Sequence, residues 1–309
     1  MKAYSIFDDY TREAVETLEK AGVSVTVHPY GVPRPDHDQM QKILEKYEIV
    51  IIGTSQKITE DMFEGINSPR IIATASVGTD HIRIPVRLLK QSHILNTPKA
   101  NAQSVAEYTM GCALACCKRL SEGKALYREG RGNKELYCKP EDLYGKIMGV
   151  IGAGNISAKI MDYAKMMGMK VICWTRNPNQ HRELTERGVE FYDLDRLLSE
   201  ADYISVNLPK NAGTKNLISK DRVALMKSTA VFISVSRLDT IDVEALLCRA
   251  NNERSFYVCL DLDVDEKVVA RLEDRSNVIV TPHIAGGTVQ TRKRMFLETA
   301  NRIADLLTC

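Results

Sequence analysis

Three ionisable side chains fall just past apolar, strand-like runs in the C-terminal half of the chain. Arg237 follows residues 231–234, Glu266 follows 257–260, and His283 follows 278–280. An arginine presents a rigid fork that grips a carboxylate at two points. A histidine titrates near neutral pH, and a neighbouring carboxylate fixes its tautomer and favours its charged form. It can then deliver a proton to a developing alkoxide. Acid, orienting carboxylate and anion clamp together suit reduction of a carbonyl beside a carboxylate, given a hydride donor. Each residue also has a plainer reading: a capping histidine in Thr281-Pro282-His283, a solvated arginine, an acidic surface run from Asp261 to Glu266. Position favours the set over its members, because an open α/β sheet binds ligands beyond the carboxyl ends of its strands.

The element that would bring a hydride donor to such a sheet lies between Lys146 and Arg176. An apolar run, Ile147-Met148-Gly149-Val150-Ile151, leads into Gly152-Ala153-Gly154. A helical stripe of Ile156, Ile160, Tyr163, Ala164 and Met167 follows, then a second apolar run, Val171-Ile172-Cys173-Trp174. Strand, glycine turn, helix and strand make the first βαβ unit of a dinucleotide-binding fold. A pyrophosphate needs backbone N–H groups at a helix N-terminus, where the helix dipole also favours negative charge. Gly152 permits the tight turn, Gly154 lets phosphate approach, and Ser157 is small enough for helix-on-strand packing. The glycine spacing alone is a weak signal; the two flanking apolar strands make it a stronger one.

About 20 residues past the loop, folds that prefer NAD place an acid to hold the ribose 2′-OH. Thr175 and Arg176 stand there instead. A carboxylate would repel a 2′-phosphate, whereas a hydroxyl and a guanidinium would bind it. NADP(H) is therefore the expected cofactor, with NAD(H) possible.

The bulk properties narrow the class. At 309 residues, with 44% hydrophobic and 27% charged residues, the chain suits a globular enzyme of two domains. A net charge of +2 with signs interspersed points to neither nucleic acid nor an anionic membrane. No apolar run approaches the ~20 residues of a membrane helix. Met1-Lys2 runs straight into a strand-like segment, so no leader is expected. Eight cysteines occur without a C-x-x-C pair or a histidine at zinc spacing, which points to free thiols in a reducing cytoplasm and to no metal.

Taken in order, residues 1–96 alternate β and α. Strands are expected at 3–7, 23–27, 49–52, 71–75 and 94–95, with helices at 11–21, 37–47, 59–66 and 85–90. That alternation implies a parallel sheet covered on both faces. Asn96-Thr97-Pro98 reads as a hinge, and a long helix runs over 101–120. From Gly145 the βα rhythm resumes, with strands at 203–206, 230–234, 257–260 and 278–280. A last amphipathic helix spans 288–307.

On these motifs the chain resembles the D-isomer-specific 2-hydroxyacid dehydrogenase family, in its glyoxylate/hydroxypyruvate reductase-like branch, over nearly its whole length. Ser76-Val77-Gly78-Thr79-Asp80-His81-Ile82 is similar to the family's substrate-carboxylate loop. Residues 96–102 and Ser104-Val105-Ala106-Glu107 resemble its hinge and following helix. Arg237, Glu266 and His283 match its catalytic Arg, Glu and His, the last within Thr281-Pro282-His283-Ile284-Ala285-Gly286-Gly287-Thr288.

The resemblance implies two doubly wound parallel-sheet α/β domains, a Rossmann cofactor domain (99–284) inserted into a flavodoxin-like substrate domain (1–98 and 285–309). It implies a homodimer through the helix starting near Asn101. It implies interconversion of a 2-keto acid and a D-2-hydroxy acid by hydride transfer from nicotinamide C4. His283 would then be the general acid/base and Glu266 its support, while Arg237, Val77 and Gly78 bind substrate. The cofactor-binding set becomes Gly152, Gly154, Asn155, Ile156, Thr175, Arg176, Val235, Ser236, Asp261 and Gly286, with Asp261 matching the aspartate that contacts the nicotinamide carboxamide.

Four positions depart from the family's pattern. Leu238 stands where glycine is usual after the arginine, Lys267 where proline is usual after the glutamate, and Asp263 where an aromatic is common. Gly53 occupies the place of an arginine that suits the phosphate of phosphoglycerate. A small or aromatic uncharged 2-keto acid is the expected substrate. A competing reading is a dinucleotide-sensing interaction protein of the corepressor kind, which can retain all three catalytic residues; formate or phosphite oxidation is a third.

Overall fold

The computed structural model describes residues 1–68, 70–131, 139–272 and 275–308. The chain divides into two compact units, one of Met1–Asn101 with Gly287–Cys309 and one of Ala102–Gly286. The sequence motifs set those boundaries at 98/99 and 284/285.

The first unit holds a five-stranded sheet in the order β2-β1-β3-β4-β5. Its strands are β1 (Lys2–Ser5), β2 (Ser24–Val27), β3 (Ile49–Ile52), β4 (Ile71–Thr74) and β5 (His93–Leu95), and all pairings are parallel. Every residue of β3 and β4 is buried, as expected where both faces of a parallel sheet are covered. Helix His37–Lys46 starts at a capping box: Asp36 accepts the Gln39 N–H, and the Gln39 side chain accepts the Asp36 N–H. Such a cap contributes about 1 kcal/mol. The expected helix over 59–66 is only a 3-10 turn, Glu60–Phe63, because Gly65 turns the chain at φ +76°.

Helix Val289–Thr308 completes this unit from the far end of the chain. Phe296, Ala300 and Ile303 join its buried core, and Phe296 packs its ring against Phe7 and Tyr10. Arg302 donates to the Asn96 carbonyl at 2.6 Å, and Arg294 to that of Ala100 at 3.0 Å. Those bonds keep the segment up to Asn101 with the first unit.

The second unit holds a seven-stranded, all-parallel sheet in the order β12-β11-β10-β9-β6-β7-β8. Its strands are β6 (Ile147–Ile151), β7 (Lys170–Trp174), β8 (Glu190–Phe191), β9 (Tyr203–Val206), β10 (Val231–Ser234), β11 (Tyr257–Asp261) and β12 (Val278–Thr281). The period-2 side-chain alternation is visible in the core. Val231, Ile233, Tyr257 and Cys259 face one apolar cluster; Phe232, Val258 and Leu260 face the other. Chain order reverses at β6, flanked by β7 on one side and β9 on the other. The crevice at such a switch point is where open α/β sheets bind ligands.

No helix among the described residues is long and apolar enough to cross a membrane. No described group of three or more His, Cys, Asp or Glu is arranged to hold a metal ion.

Candidate active site

The glycine turn leaves β6 as the sequence pattern requires. Gly152 has φ +106°, and a Cβ there would lie 2.7 Å from the Asn207 carbonyl oxygen of the neighbouring strand end. Only glycine fits. Gly154 is the N-cap of helix Asn155–Met166, and no atom lies within 4 Å of where its Cβ would be. The first-turn N–H groups of such a helix lack intrahelical acceptors, and the space at Gly154 leaves room beside them. The Ser157 hydroxyl is buried with no partner among the described residues. An exposed Gly154 and Asn155 over a dipole-positive helix end fit a pyrophosphate. The Ile156 side chain instead packs against the core, leaving its backbone for that role.

Thr175 and Arg176 follow β7 with no acid next to them in sequence, although Asp193 lines the same cavity as Thr175. The Arg176 guanidinium lies over the backbone of Gly213, in the loop after β9, where an added Cβ would collide with it. Arg176 is exposed and forms no ion pair with a described residue. At the end of β10, Val235 N–H donates to the Val206 carbonyl at 3.4 Å. The Ser236 hydroxyl donates to the same carbonyl at 2.9 Å and accepts the Leu208 N–H at 2.8 Å. That hydroxyl ties the ends of β9 and β10 together, so only the backbone of Ser236 remains for a cofactor. Arg237 is half-buried and starts the 3-10 turn Leu238–Thr240. Leu238 in place of glycine causes no strain: it packs on the core and is not among the described positive-φ residues.

Asp261, the residue expected to contact a nicotinamide, is engaged within the protein. It is 3% exposed, and both carboxylate oxygens are engaged. Oδ1 accepts the Thr281 hydroxyl at 2.6 Å and the Ile284 N–H at 2.8 Å; Oδ2 accepts the Ala285 N–H at 2.8 Å. The Tyr108 hydroxyl, 2.6 Å from that of Thr281, extends the chain to helix Ala102–Cys117. Burial is the first cause that pushes this phenol well above the ordinary tyrosine range. Ser104 closes the far side by donating to the Ala285 carbonyl at 2.7 Å. Asp261 is thus the clamp of the loop that carries His283, and Gly286 ends that loop.

His283 adopts φ +52°, a left-handed conformation uncommon for a residue with a Cβ. Its Nδ1 lies 2.6 Å from Oδ1 of Asp263. The expected partner, Glu266, is not there. Glu266 is exposed, opens the short helix Glu266–Val269 and makes no side-chain hydrogen bond with a described residue. That helix is capped by Asp265, which accepts the Lys267 N–H at 2.9 Å and the Val268 N–H at 3.2 Å. A proline in the place of Lys267 would lack the first of these donors. The sequence marked Asp263 only as standing where an aromatic is common, not as a neighbour of His283. The signal was present in the pairing of β11 with β12, which sets Asp261 beside Thr281. Beyond that pair both chains leave the sheet, and His283 meets Asp263 across the two loops that follow.

In the first unit, the segment expected to bind a carboxylate is a loop tied down by its own hydrogen bonds. Thr97 N–H donates to the Ser76 carbonyl at 2.8 Å, Asn96 Nδ2 to that of Val77 at 2.7 Å, and the Ser76 hydroxyl to that of Gly78 at 2.7 Å. The N–H groups of Val77 and Gly78 donate to no described residue. At Gly53 a Cβ would lie 3.0 Å from the Phe7 ring.

Comparison with known proteins agrees with this architecture. Residues 110–285 match the family described as D-isomer specific 2-hydroxyacid dehydrogenase, NAD binding domain. The hydroxypyruvate reductase of Thermotoga maritima is 32% identical over 272 residues, 87% of each chain. D-3-phosphoglycerate dehydrogenase of Synechocystis is 31% identical over 266 residues, 86% of this chain and 48% of that longer protein. The crystal structure of D-lactate dehydrogenase from Aquifex aeolicus, complexed with NAD and lactic acid, superposes with TM-score 0.80 at 26% identity, covering 100% of this chain and 96% of that one. With a family match over more than half its length and that family's two parallel-sheet units, the chain belongs to the D-isomer-specific 2-hydroxyacid dehydrogenases.

Proposed function

We propose that the protein is an NADP(H)-preferring D-2-hydroxyacid dehydrogenase working mainly as a reductase of small or aromatic, uncharged 2-keto acids. The observation that carries this reading is the end of β12. His283 has a carboxylate on Nδ1 and no described partner on Nε2, in the sheet that also carries the open glycine turn.

When bound, the reduced dinucleotide supplies a hydride. Gly152, Gly154 and the backbone of Asn155 and Ile156 would hold its pyrophosphate, with Thr175 and Arg176 taking a 2′-phosphate. His283 Nε2 delivers a proton to the carbonyl oxygen as that oxygen gains charge. Arg237 grips the substrate carboxylate and so fixes which face of the carbonyl is open. The family resemblance would add the N–H groups of Val77 and Gly78, on the first unit, as carboxylate donors. Gly53, with the Phe7 ring against it, supplies no cation for a substrate phosphate.

The second copy in a homodimer would meet helix Ala102–Cys117. Glu107, Gly111 and Leu114 are exposed on it at helical spacing, with Lys118 following. Equilibrium sedimentation tests this; a monomer at micromolar concentration would refute it.

Steady-state rates with NADPH and NADH on glyoxylate, hydroxypyruvate, pyruvate and phenylpyruvate test the function. We expect turnover of at least one keto acid, faster with NADPH. Equal or better use of NADH would sink the cofactor preference, and no turnover of any 2-keto acid would sink the enzyme reading.

A further inference from the structure

We infer that Tyr108 is a positioning residue for the reaction: its hydroxyl, acting through Thr281 and Asp261, fixes the turn that presents His283. The inference rests on the reading of His283 as proton donor, and it adds a residue that lies outside the motifs.

One face of helix Ala102–Cys117 grips the histidine loop at two points. Ser104 and Tyr108 stand four residues apart on that helix and so share a face. Ser104 donates to the Ala285 carbonyl at 2.7 Å, and the Tyr108 hydroxyl lies 2.6 Å from that of Thr281. Between those two points the chain carries His283 at φ +52°. Such a backbone is strained for a residue with a Cβ, and it persists only where its surroundings over-determine it.

The direction of each bond follows from the groups present. A carboxylate only accepts, so the Thr281 O–H points to Oδ1 of Asp261, at 2.6 Å. The Thr281 oxygen must then accept from Tyr108. Burial is the first cause that raises the Tyr108 phenol well above its ordinary range, so it keeps the proton it donates. Asp261 passes the constraint to the loop, accepting the Ile284 N–H on Oδ1 and the Ala285 N–H on Oδ2, both at 2.8 Å. Hydrogen bonds in such a series polarise and strengthen one another. Removing the first donor leaves the Thr281 hydroxyl free to rotate away from Asp261, and the turn around His283 loosens.

The ring of Tyr108 has a separate task. It packs on the apolar cluster of the second unit, and phenylalanine would fill the same space. Tyr108→Phe therefore removes one O–H and leaves the packing in place.

The test compares wild type, Tyr108→Phe and Tyr257→Phe. The last is a control that removes another tyrosine hydroxyl of the same apolar cluster, one that meets Glu122 at 2.5 Å instead. Two readouts are taken: steady-state rates with NADPH on the best of the keto acids named above, and hydrogen exchange of the Ile284 and Ala285 amides by NMR. Misplacement of a reacting group from a distance can cost up to roughly 100-fold in rate. We expect Tyr108→Phe to lower kcat roughly 10-fold while KM moves less than about threefold. The two amides should exchange roughly 5- to 10-fold faster. Tyr257→Phe should stay within about twofold of wild type in both readouts. An unchanged kcat in Tyr108→Phe, a loss carried by KM alone, an equal loss in Tyr257→Phe, or unchanged amide exchange would each overturn the assignment. A wild-type protein inactive on every keto acid would instead sink the functional reading, and the exchange rates would still decide whether Tyr108 holds the turn.

Discussion

The hydroxyl of Thr281 donates a 2.6 Å hydrogen bond to the carboxylate of Asp261, across the paired ends of β11 and β12. Two backbone N–H groups of the His283 loop share that carboxylate. Replacing it strands three donors at once. An unsatisfied buried donor costs ~1–3 kcal/mol, so Asp261→Ala is expected to lose about 3 kcal/mol in urea unfolding. A loss under about 1 kcal/mol would contradict the clamp.

Gly152→Ala should damage cofactor binding more than folding alone explains. The new methyl group meets the Asn207 carbonyl at 2.7 Å on a backbone with φ +106°. Relieving that contact must shift the turn that faces the pyrophosphate. Trp174 is the sole tryptophan and ends β7, and its carbonyl accepts the Gly152 N–H at 2.8 Å. Its fluorescence is therefore the natural titration signal. We expect the NADPH Kd to rise at least about tenfold, a step of 1.4 kcal/mol; a Kd within about twofold of wild type would refute the placement.

Arg176→Leu should separate the two cofactors. A charge-assisted hydrogen bond contributes about 1.5–3 kcal/mol, so kcat/KM for NADPH is expected to fall about 10- to 100-fold. NADH lacks the 2′-phosphate and should change less than about twofold. Parallel losses with both cofactors would show that Arg176 supports the fold and not the phosphate.

Stability should depend on pH through His37. Its ring nitrogens face two carboxylates that accept from them, Asp61 at 2.6 Å and Asp38 at 3.3 Å, and the bond to Asp61 is the first cause that raises its pKa above the ordinary value of 6.5. A raised folded-state pKa means the charged pair stabilises fully below the unfolded value and is lost as pH rises through the folded one. His37→Asn should therefore flatten the urea midpoint between pH 6 and pH 8 relative to wild type, by a small amount because the pair is open to water. A steeper fall in the variant would reverse the sign and defeat the assignment.

The fold was legible because both sheets are parallel and covered. Runs such as Ile147–Ile151 and Tyr203–Val206 are apolar without alternation, which marks them before any contact is known. The glycine turn was equally visible, since Gly152 is required by a carbonyl from the next strand. What motifs hid was pairing between distant segments. Asp263 looks like one acid in an acidic run until the loops after β11 and β12 meet. The family pattern drew attention to Glu266 and Asp261, whereas the structure gives the ring to Asp263 and encloses Asp261. The tie of the Ser236 hydroxyl to Val206 and Leu208 was hidden because it spans about 30 residues of sequence. Strand β8, two residues long, is too short to show a period.

Because Phe296, Ala300 and Ile303 close a core whose five strands lie before residue 96, birth order and completion order differ in this chain. On the ribosome, the earliest-made sheet must wait with part of its core open until the helix Val289–Thr308 emerges. The inserted unit, contiguous from Ala102 to Gly286, faces no such delay. Chains stalled before Val289 should accordingly present a protease-resistant second unit behind an N-terminal segment that is still digestible.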